Sequence, residues 1–187
     1  MSRSVISMIL VKTETKVTTL EDIYTKDTAV EQGVIKMSEI VVPSYETKYA
    51  ELTCDAVNLS APVYYGDSDT VFEQGVGQYL GSYLPGMGRT ILLGAHDNTF
   101  FAPLERMEPG MELTVKTSYG VFTYQVTKTW ITKENDASAY SLGQKKEQLI
   151  LYTCYPFGTY IGVKDQRFFV YADKISGPTI VEEEKDE

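Results

Sequence analysis

The sequence predicts an all-β fold, a barrel or a sandwich, and three observations predict it. Short stretches of apolar–polar alternation recur from Tyr49 onward, turn residues separate them, and helical patterns are few and brief. With 187 residues, 43% of them hydrophobic, the chain suffices for one domain with a real core and falls short of two comfortable ones.

The elements follow in chain order. Residues 1–48 are polar, rich in Thr, Glu and Lys and weakly periodic, so they read as an N-terminal extension, partly helical or flexible. Glu21 to Met37 is its candidate helix, and Pro43-Ser44 marks a boundary. Residues 49–176 form the main domain. Leu52, Cys54 and Ala56 face one way there, with Thr53 and Asp55 on the other side. Pro62 to Tyr65 is a second strand, ended by Gly66-Asp67. Thr90 to Leu93 is continuously apolar and reads as a buried strand. Met111, Leu113 and Val115 alternate with polar residues up to a turn at Ser118-Tyr119-Gly120. Phe122, Tyr124 and Val126 then alternate back, which makes a hairpin. Leu149 to Tyr152 and Phe168 to Tyr171 supply two further strands. Thr70 to Gln74, and Phe101 to Met107 entered through Pro103, are the short helices. Lys133 to Gln148 and Tyr155 to Gln166 are long loops, and loops of that length in a compact domain tend to be functional. Residues 177–187 hold the run Glu182, Glu183, Glu184, Asp186 and Glu187, which reads as an acidic, disordered tail.

Charge and composition exclude several functions. The net charge of −9, from 26 acidic against 17 basic residues, argues against nucleic acid as a partner, because phosphate binding needs a basic surface. Two cysteines, Cys54 and Cys154, and one histidine, His96, form no short-spaced ligand cluster, so neither a metal site nor a cofactor is expected. A Cys54–Cys154 disulfide is conceivable from the count alone, but Cys54 reads as a buried small hydrophobe. Val5 to Val11, the most apolar stretch near the start, is far shorter than the ~20 residues of a spanning helix and lacks a signal-peptide pattern.

Three residues carry the chemistry. His96 follows Ile91-Leu92-Leu93 past Gly94-Ala95, Cys154 ends Leu149-Ile150-Leu151-Tyr152-Thr153, and Arg167 opens Arg167-Phe168-Phe169-Val170-Tyr171. Antiparallel pairing of the last two strands puts Cys154 and Arg167 at one end of the sheet, and a parallel His96 strand ends there too. A thiol attacks only as thiolate, which a neighbouring imidazole or guanidinium favours. Histidine can protonate a leaving amine, and arginine presents a rigid fork of donors to a developing oxyanion. Together they describe covalent acyl transfer from an amide. Taken singly, a strand-end Cys is more often core, a lone His structural and a lone Arg a surface charge. The joint pattern is what favours a site.

That pattern is reinforced by a resemblance. Residues Tyr49 to Ile175 resemble the sortase family, through Ala61-Pro62-Val63-Tyr64-Tyr65-Gly66, Gln74-Gly75-Val76-Gly77-Gln78-Tyr79 and Leu84-Pro85-Gly86. Gly94-Ala95-His96-Asp97 resembles the family's histidine motif, Phe100-Phe101-Ala102-Pro103-Leu104 the short helix after it, Ile150-Leu151-Tyr152-Thr153-Cys154 the cysteine signature, and Arg167-Phe168-Phe169-Val170 the arginine strand. The run 153–157 with Phe100-Phe101 is most similar to class D sortases. The resemblance implies a closed eight-stranded barrel and a transpeptidase in which Cys154 cleaves an LPXTG-like sorting signal after its Thr. The thioacyl enzyme then passes the protein to a cell-wall or pilin amine. It implies His96 as acid and base, Arg167 as orienting and oxyanion residue, and Thr153, Tyr152 and Ala95 as lining the substrate groove.

It further implies work on the outer face of a Gram-positive membrane, through an anchor absent from this chain. The residue before the family's histidine is usually Gly, and here it is Ala95, whose methyl alters packing or tightens the site entrance. A calcium site in the Lys133 to Gln148 loop has only Glu134, Asp136 and Glu147 to draw on, too few to expect one. Two rivals stand beside this reading. One is another thiol peptidase or amidase, but such enzymes commonly place the Cys on a helix and before the His. The other is a non-catalytic peptide- or glycan-binding barrel, which accounts for the 14 tyrosines but gives Arg167 no reason to face a Thr-Cys strand end.

Overall fold

Among the described residues ten strands run in the order Val34–Lys36 (β1), Lys48–Cys54 (β2), Leu59–Tyr65 (β3), Val76–Gln78 (β4), Thr90–Gly94 (β5), Glu112–Thr117 (β6), Val121–Lys133 (β7), Gln148–Tyr155 (β8), Gln166–Ser176 (β9) and Thr179–Val181 (β10). The computed structural model describes residues 33–158 and 162–182. Among them is one α-helix, Asp69–Gln74 (α1), and three 3₁₀ turns at Met37–Glu39, Asp55–Val57 and Ala102–Arg106.

Eight of the strands close into a barrel in the order β2-β3-β4-β5-β8-β9-β7-β6, so the expected closed eight-stranded barrel is the fold. Inside it pack Leu52, Leu93, Leu113, Phe122, Tyr124, Leu151 and Val170, all at most 1% exposed. This is the alternation read from the sequence, now with one face of every strand turned inward. Ala56 departs from its expected place in that alternation: β2 stops at Cys54, and the 3₁₀ turn that follows exposes Ala56 and turns Val57 inward instead. Cys54 is buried and unbridged, as its setting predicted, and Cys154 is also a free thiol.

β7 shows why one face of the barrel is built as it is. Val126 pairs with Ala172 but Lys128 with Tyr171, so the strand gains one residue in a bulge. Before the bulge Phe122, Tyr124 and Val126 point inward; after it Lys128, Trp130 and Thr132 lie opposite Tyr171, Phe169 and Arg167 on the outside. That outer face carries a second apolar cluster of Leu92, Ile150, Phe169, Tyr171 and Ala139, with Trp130 and Tyr152 against it. The 134–147 loop lies across it, fixed where the Tyr171 hydroxyl donates to the Ala139 carbonyl at 2.6 Å and the Thr90 hydroxyl to that of Ser141 at 2.6 Å.

Two expectations need correction. Of the proposed Glu21 to Met37 helix, the described part is strand β1 running into a 3₁₀ turn; its earlier residues lie outside the described part of the chain. The tail expected from 177 contributes β10, which pairs in parallel with β1 at Val34–Thr179, Ile35–Ile180 and Lys36–Val181. The Ile180 amide ties this ribbon to the barrel by donating to the Gly86 carbonyl at 2.8 Å. β4 was also unforeseen as a strand. It pairs with β3 in parallel, where the backbone comes so close that a Cβ on Gly77 would sit 2.6 Å from the Gly66 carbonyl oxygen.

Candidate active site

Cys154 and Arg167 are directly paired across β8 and β9, and β5 runs parallel to β8 with Gly94 opposite Tyr152. Continued for two residues, that register brings His96 level with Cys154. Inward and outward positions alternate along all three strands: Ala95, Thr153 and Phe168 belong to the inner core side, so His96, Cys154 and Arg167 lie on the outer face. The three expected residues therefore share one row at one end of the barrel, with Thr132 of β7 continuing it beyond Arg167.

The strand ends are held in that row by specific bonds. The Thr153 hydroxyl, fully buried, donates to the Ala95 carbonyl at 2.7 Å and so pins the end of β8 to the residue before His96. Thr153 thus acts on the site from inside the wall. Ala95 is likewise buried, its methyl in the barrel core. The departure from the family's usual Gly is absorbed by packing and does not narrow the entrance. The restriction falls one residue earlier, since a Cβ on Gly94 would meet the Tyr152 ring at 2.5 Å. Tyr152 itself is half-buried, stacks on Phe169 with ring centroids 6.1 Å apart, and lies two residues from Cys154 on the same face. Burial raises its hydroxyl to about 12, with the charge of Asp67 adding to the shift, so it stays a neutral donor at physiological pH.

His96 is exposed, with its ring edge-on to Phe72 of α1 at 5.7 Å. The capping of α1 positions that contact: Ser68 accepts from the Val71 amide at 3.3 Å and donates to Glu46 at 2.6 Å. Arg167 directs its fork at three oxygens. Nη1 donates to the carbonyls of Lys164 and Gln166, both at 2.9 Å, and Nη2 to Glu134 at 2.7 Å. Asp97, next to His96, pairs with Lys164 at 2.5 Å.

Phe72 and Lys164 escaped the sequence reading, because contacts 24 and 67 residues apart leave no local signal; only the Asp beside His96 hinted at a partner. The carboxylates considered for calcium are directed elsewhere. Glu134 holds Arg167, Asp136 accepts from Thr132 and Ser138, and Glu147 lies at the far end of the barrel. Among the described residues there is no helix long and apolar enough to cross a membrane.

Comparisons with known proteins agree with this architecture. The Sortase domain family profile matches residues 52–175. Sortase D of Bacillus subtilis (strain 168) is 38% identical over 120 residues, which span 64% of this chain and 60% of that protein. Among solved structures, sortase C from Clostridium perfringens SM101 superposes with a TM-score of 0.63 at 21% identity, covering 71% of this chain and 72% of that one. Sortase A from Corynebacterium diphtheriae gives 0.64 at 22% identity, covering 71% and 62%. These two share the fold. With the family profile spanning most of the barrel and the identity to a sortase D, the chain belongs to the sortase family, enzymes of the cysteine transpeptidase type, and is akin to its class D.

Proposed function

We propose that this enzyme cleaves an LPXTG-like sorting signal after its Thr and transfers the signal-bearing protein to an amine of the cell wall or of a pilin. The observation that carries the reading is the single outer row of His96, Cys154 and Arg167 at the ends of β5, β8 and β9. The Cys154 thiolate attacks the Thr carbonyl carbon, forming a C–S bond while the carbonyl electrons move onto oxygen. Arg167 donates to that oxyanion, turning part of its fork from the present partners toward the substrate. Collapse breaks the Thr–Gly C–N bond, and the departing nitrogen takes its proton from His96. An acceptor amine then attacks the thioester carbonyl, yields its proton to His96, and expels the thiolate.

Thr153 and Ala95 support the row from within, whereas Tyr152 lies on the substrate side with a neutral hydroxyl. Domain 49–176 carries the reaction. Its place is the outer face of a Gram-positive membrane. The test is incubation with a set of LPXTG-like peptides, with and without an added amine, read by mass spectrometry. Cleavage at the Thr–Gly bond with an amine-dependent adduct is expected; cleavage elsewhere, or none, refutes the reading.

A further inference from the structure

One lysine touches the neighbourhoods of both His96 and Arg167. The Lys164 ammonium lies 2.5 Å from the carboxylate of Asp97, the residue after His96, and its backbone carbonyl accepts from Arg167 Nη1 at 2.9 Å. The two side chains of the ion pair are 19% and 9% exposed, so solvent and salt screen it far less than a surface pair. The same segment is fastened from the other side. The Glu134 amide donates to the Asp165 carbonyl at 2.8 Å, and the Glu134 carboxylate takes Arg167 Nη2 at 2.7 Å. A continuous path therefore runs from His96 through Asp97, Lys164 and Arg167 to Glu134, and it passes around Cys154. The register of β8 and β9 fixes the backbone of Arg167 but not the direction of its fork. His96 stands beyond the last paired residue of β5, where ladder bonds no longer hold it.

We propose that Lys164 is a positioning residue for the transpeptidation. By holding Asp97 through its ammonium and Arg167 through its carbonyl, it sets the imidazole and the guanidinium at a fixed separation across Cys154, aimed at one carbonyl group. The roles of His96 and Arg167 rest on the function proposed above; the clasp itself does not.

Lys164→Met removes the ammonium and keeps the carbonyl. Misplacing a reacting group by about 1 Å costs on the order of 100-fold in rate, so kcat should fall roughly 10- to 100-fold. KM for a cleaved peptide should change less than about threefold, since the loss lies in the transition state. Lys164→Arg should recover most of the loss, and the reversed pair Asp97→Lys with Lys164→Asp part of it, which guards against a variant that merely folds poorly. A second readout needs no turnover. The chain holds one histidine, so the His96 ring gives unambiguous NMR resonances. Lys164→Met should shift or broaden them, while Lys145→Met, an exposed lysine of the 134–147 loop, should leave them in place. Unmoved resonances overturn the proposal, and so does a loss of kcat that follows the loss of folded protein and is not recovered by arginine. If the wild type cleaves no peptide yet the resonances move, the clasp stands and the proposed reaction falls. If peptide is cleaved and Lys164→Met changes nothing, the reaction stands and the clasp falls.

Discussion

At the end of the barrel where β5 and β8 begin, Glu147 is buried with four partners around it. It accepts from the amides of Gly86 at 3.0 Å and Gly88 at 2.9 Å and from the Tyr124 hydroxyl at 2.7 Å, with Lys174 at 3.5 Å. At the end where those strands finish, Glu134 and Asp97 also meet cations, Glu134 with half its side chain in solvent and Asp97 nearly as buried as Glu147. The far end is closed by its carboxylate: burial and the Glu147 charge hold Tyr124 protonated, well above the usual tyrosine range, so its hydroxyl is a permanent donor. The near end uses carboxylates to steer cations that stand beside an available thiol. Similar charge pairs thus do opposite work, and what stands beside them decides which. Changes at the near end should remove turnover and spare stability; changes at the far end should do the reverse.

The largest effect is expected at Cys154. Cys154→Ala should abolish peptide cleavage while leaving Tm within about 2 °C, because the thiol lies half-exposed on the outer wall. Cys54→Ala should keep most activity: burial raises that thiol's pKa, and its side chain sits in the barrel core. A thiol alkylator should accordingly inactivate by labelling Cys154. Equal losses from the two alanine variants would break the contrast between inner and outer cysteine.

Arg167 comes next. Lysine keeps the charge and loses the fork, and removal of one oxyanion donor typically costs ~100- to 1,000-fold in turnover. Arg167→Lys should lose that much. If charge alone mattered, the Lys variant would be near normal and the Gln variant inactive; a purely surface arginine would leave both unaffected. Turnover of one peptide by the three proteins separates these outcomes.

At the far end, Glu147→Ala leaves two amides and a tyrosine hydroxyl without their acceptor, and Lys174 with the Pro178 carbonyl but without its carboxylate. Breaking a buried pair of this kind costs about 3–5 kcal/mol, which in a domain of this size lowers Tm by roughly 10 °C or more. Thermal unfolding should show that drop, while kcat per folded molecule at low temperature stays within about twofold of wild type. A variant with unchanged Tm and lost turnover would invert the assignment of the two ends.

These contrasts were unequally visible in the sequence. The strands around Leu52, Leu113 and Phe122 were legible because one buried face imposes a period of two on five or more residues, and the strand around Leu151, buried on both faces, as a continuous apolar run. β1, β4 and β10 have three residues each, too few to display a period, and β1 finds its partner more than 140 residues away. The row of His96, Cys154 and Arg167 was legible because each residue adjoins a strong apolar strand, so register follows once pairing is assumed. The bulge after Val126 was not, for it changes which side of β7 faces out without changing the composition of the strand. Nor were the partners of Asp97, Arg167 and Glu147, since a charge announces itself in sequence but its counter-charge is chosen by the fold.

The smallest expected effect isolates burial from charge. Asp173 lies beside Glu147 in space, on β9, and binds Lys146 at 2.5 Å and Gln148 at 3.1 Å. Its side chain is 27% exposed and that of Lys146 68%, against 6% for Glu147. Partial burial pushes the Asp173 carboxyl up, but the Lys146 and Gln148 hydrogen bonds and the Lys146 charge more than offset this and leave its pKa below the ordinary value. A carboxyl whose folded pKa is depressed binds fewer protons folded than unfolded, so its contribution is full above the unfolded value near 3.9 and is lost as pH falls through the folded one. Because solvent screens so exposed a pair, Asp173→Asn should cost less than about 1 kcal/mol at neutral pH, a Tm change of a few degrees at most. The gap between wild type and variant should close on acidification below about pH 4, through the range bounded by those two pKa values. Thermal melts of both proteins from pH 7 down to acid measure it. A loss at neutral pH as large as that of Glu147→Ala would mean that charge, and not burial, sets the worth of a carboxylate at this end of the barrel.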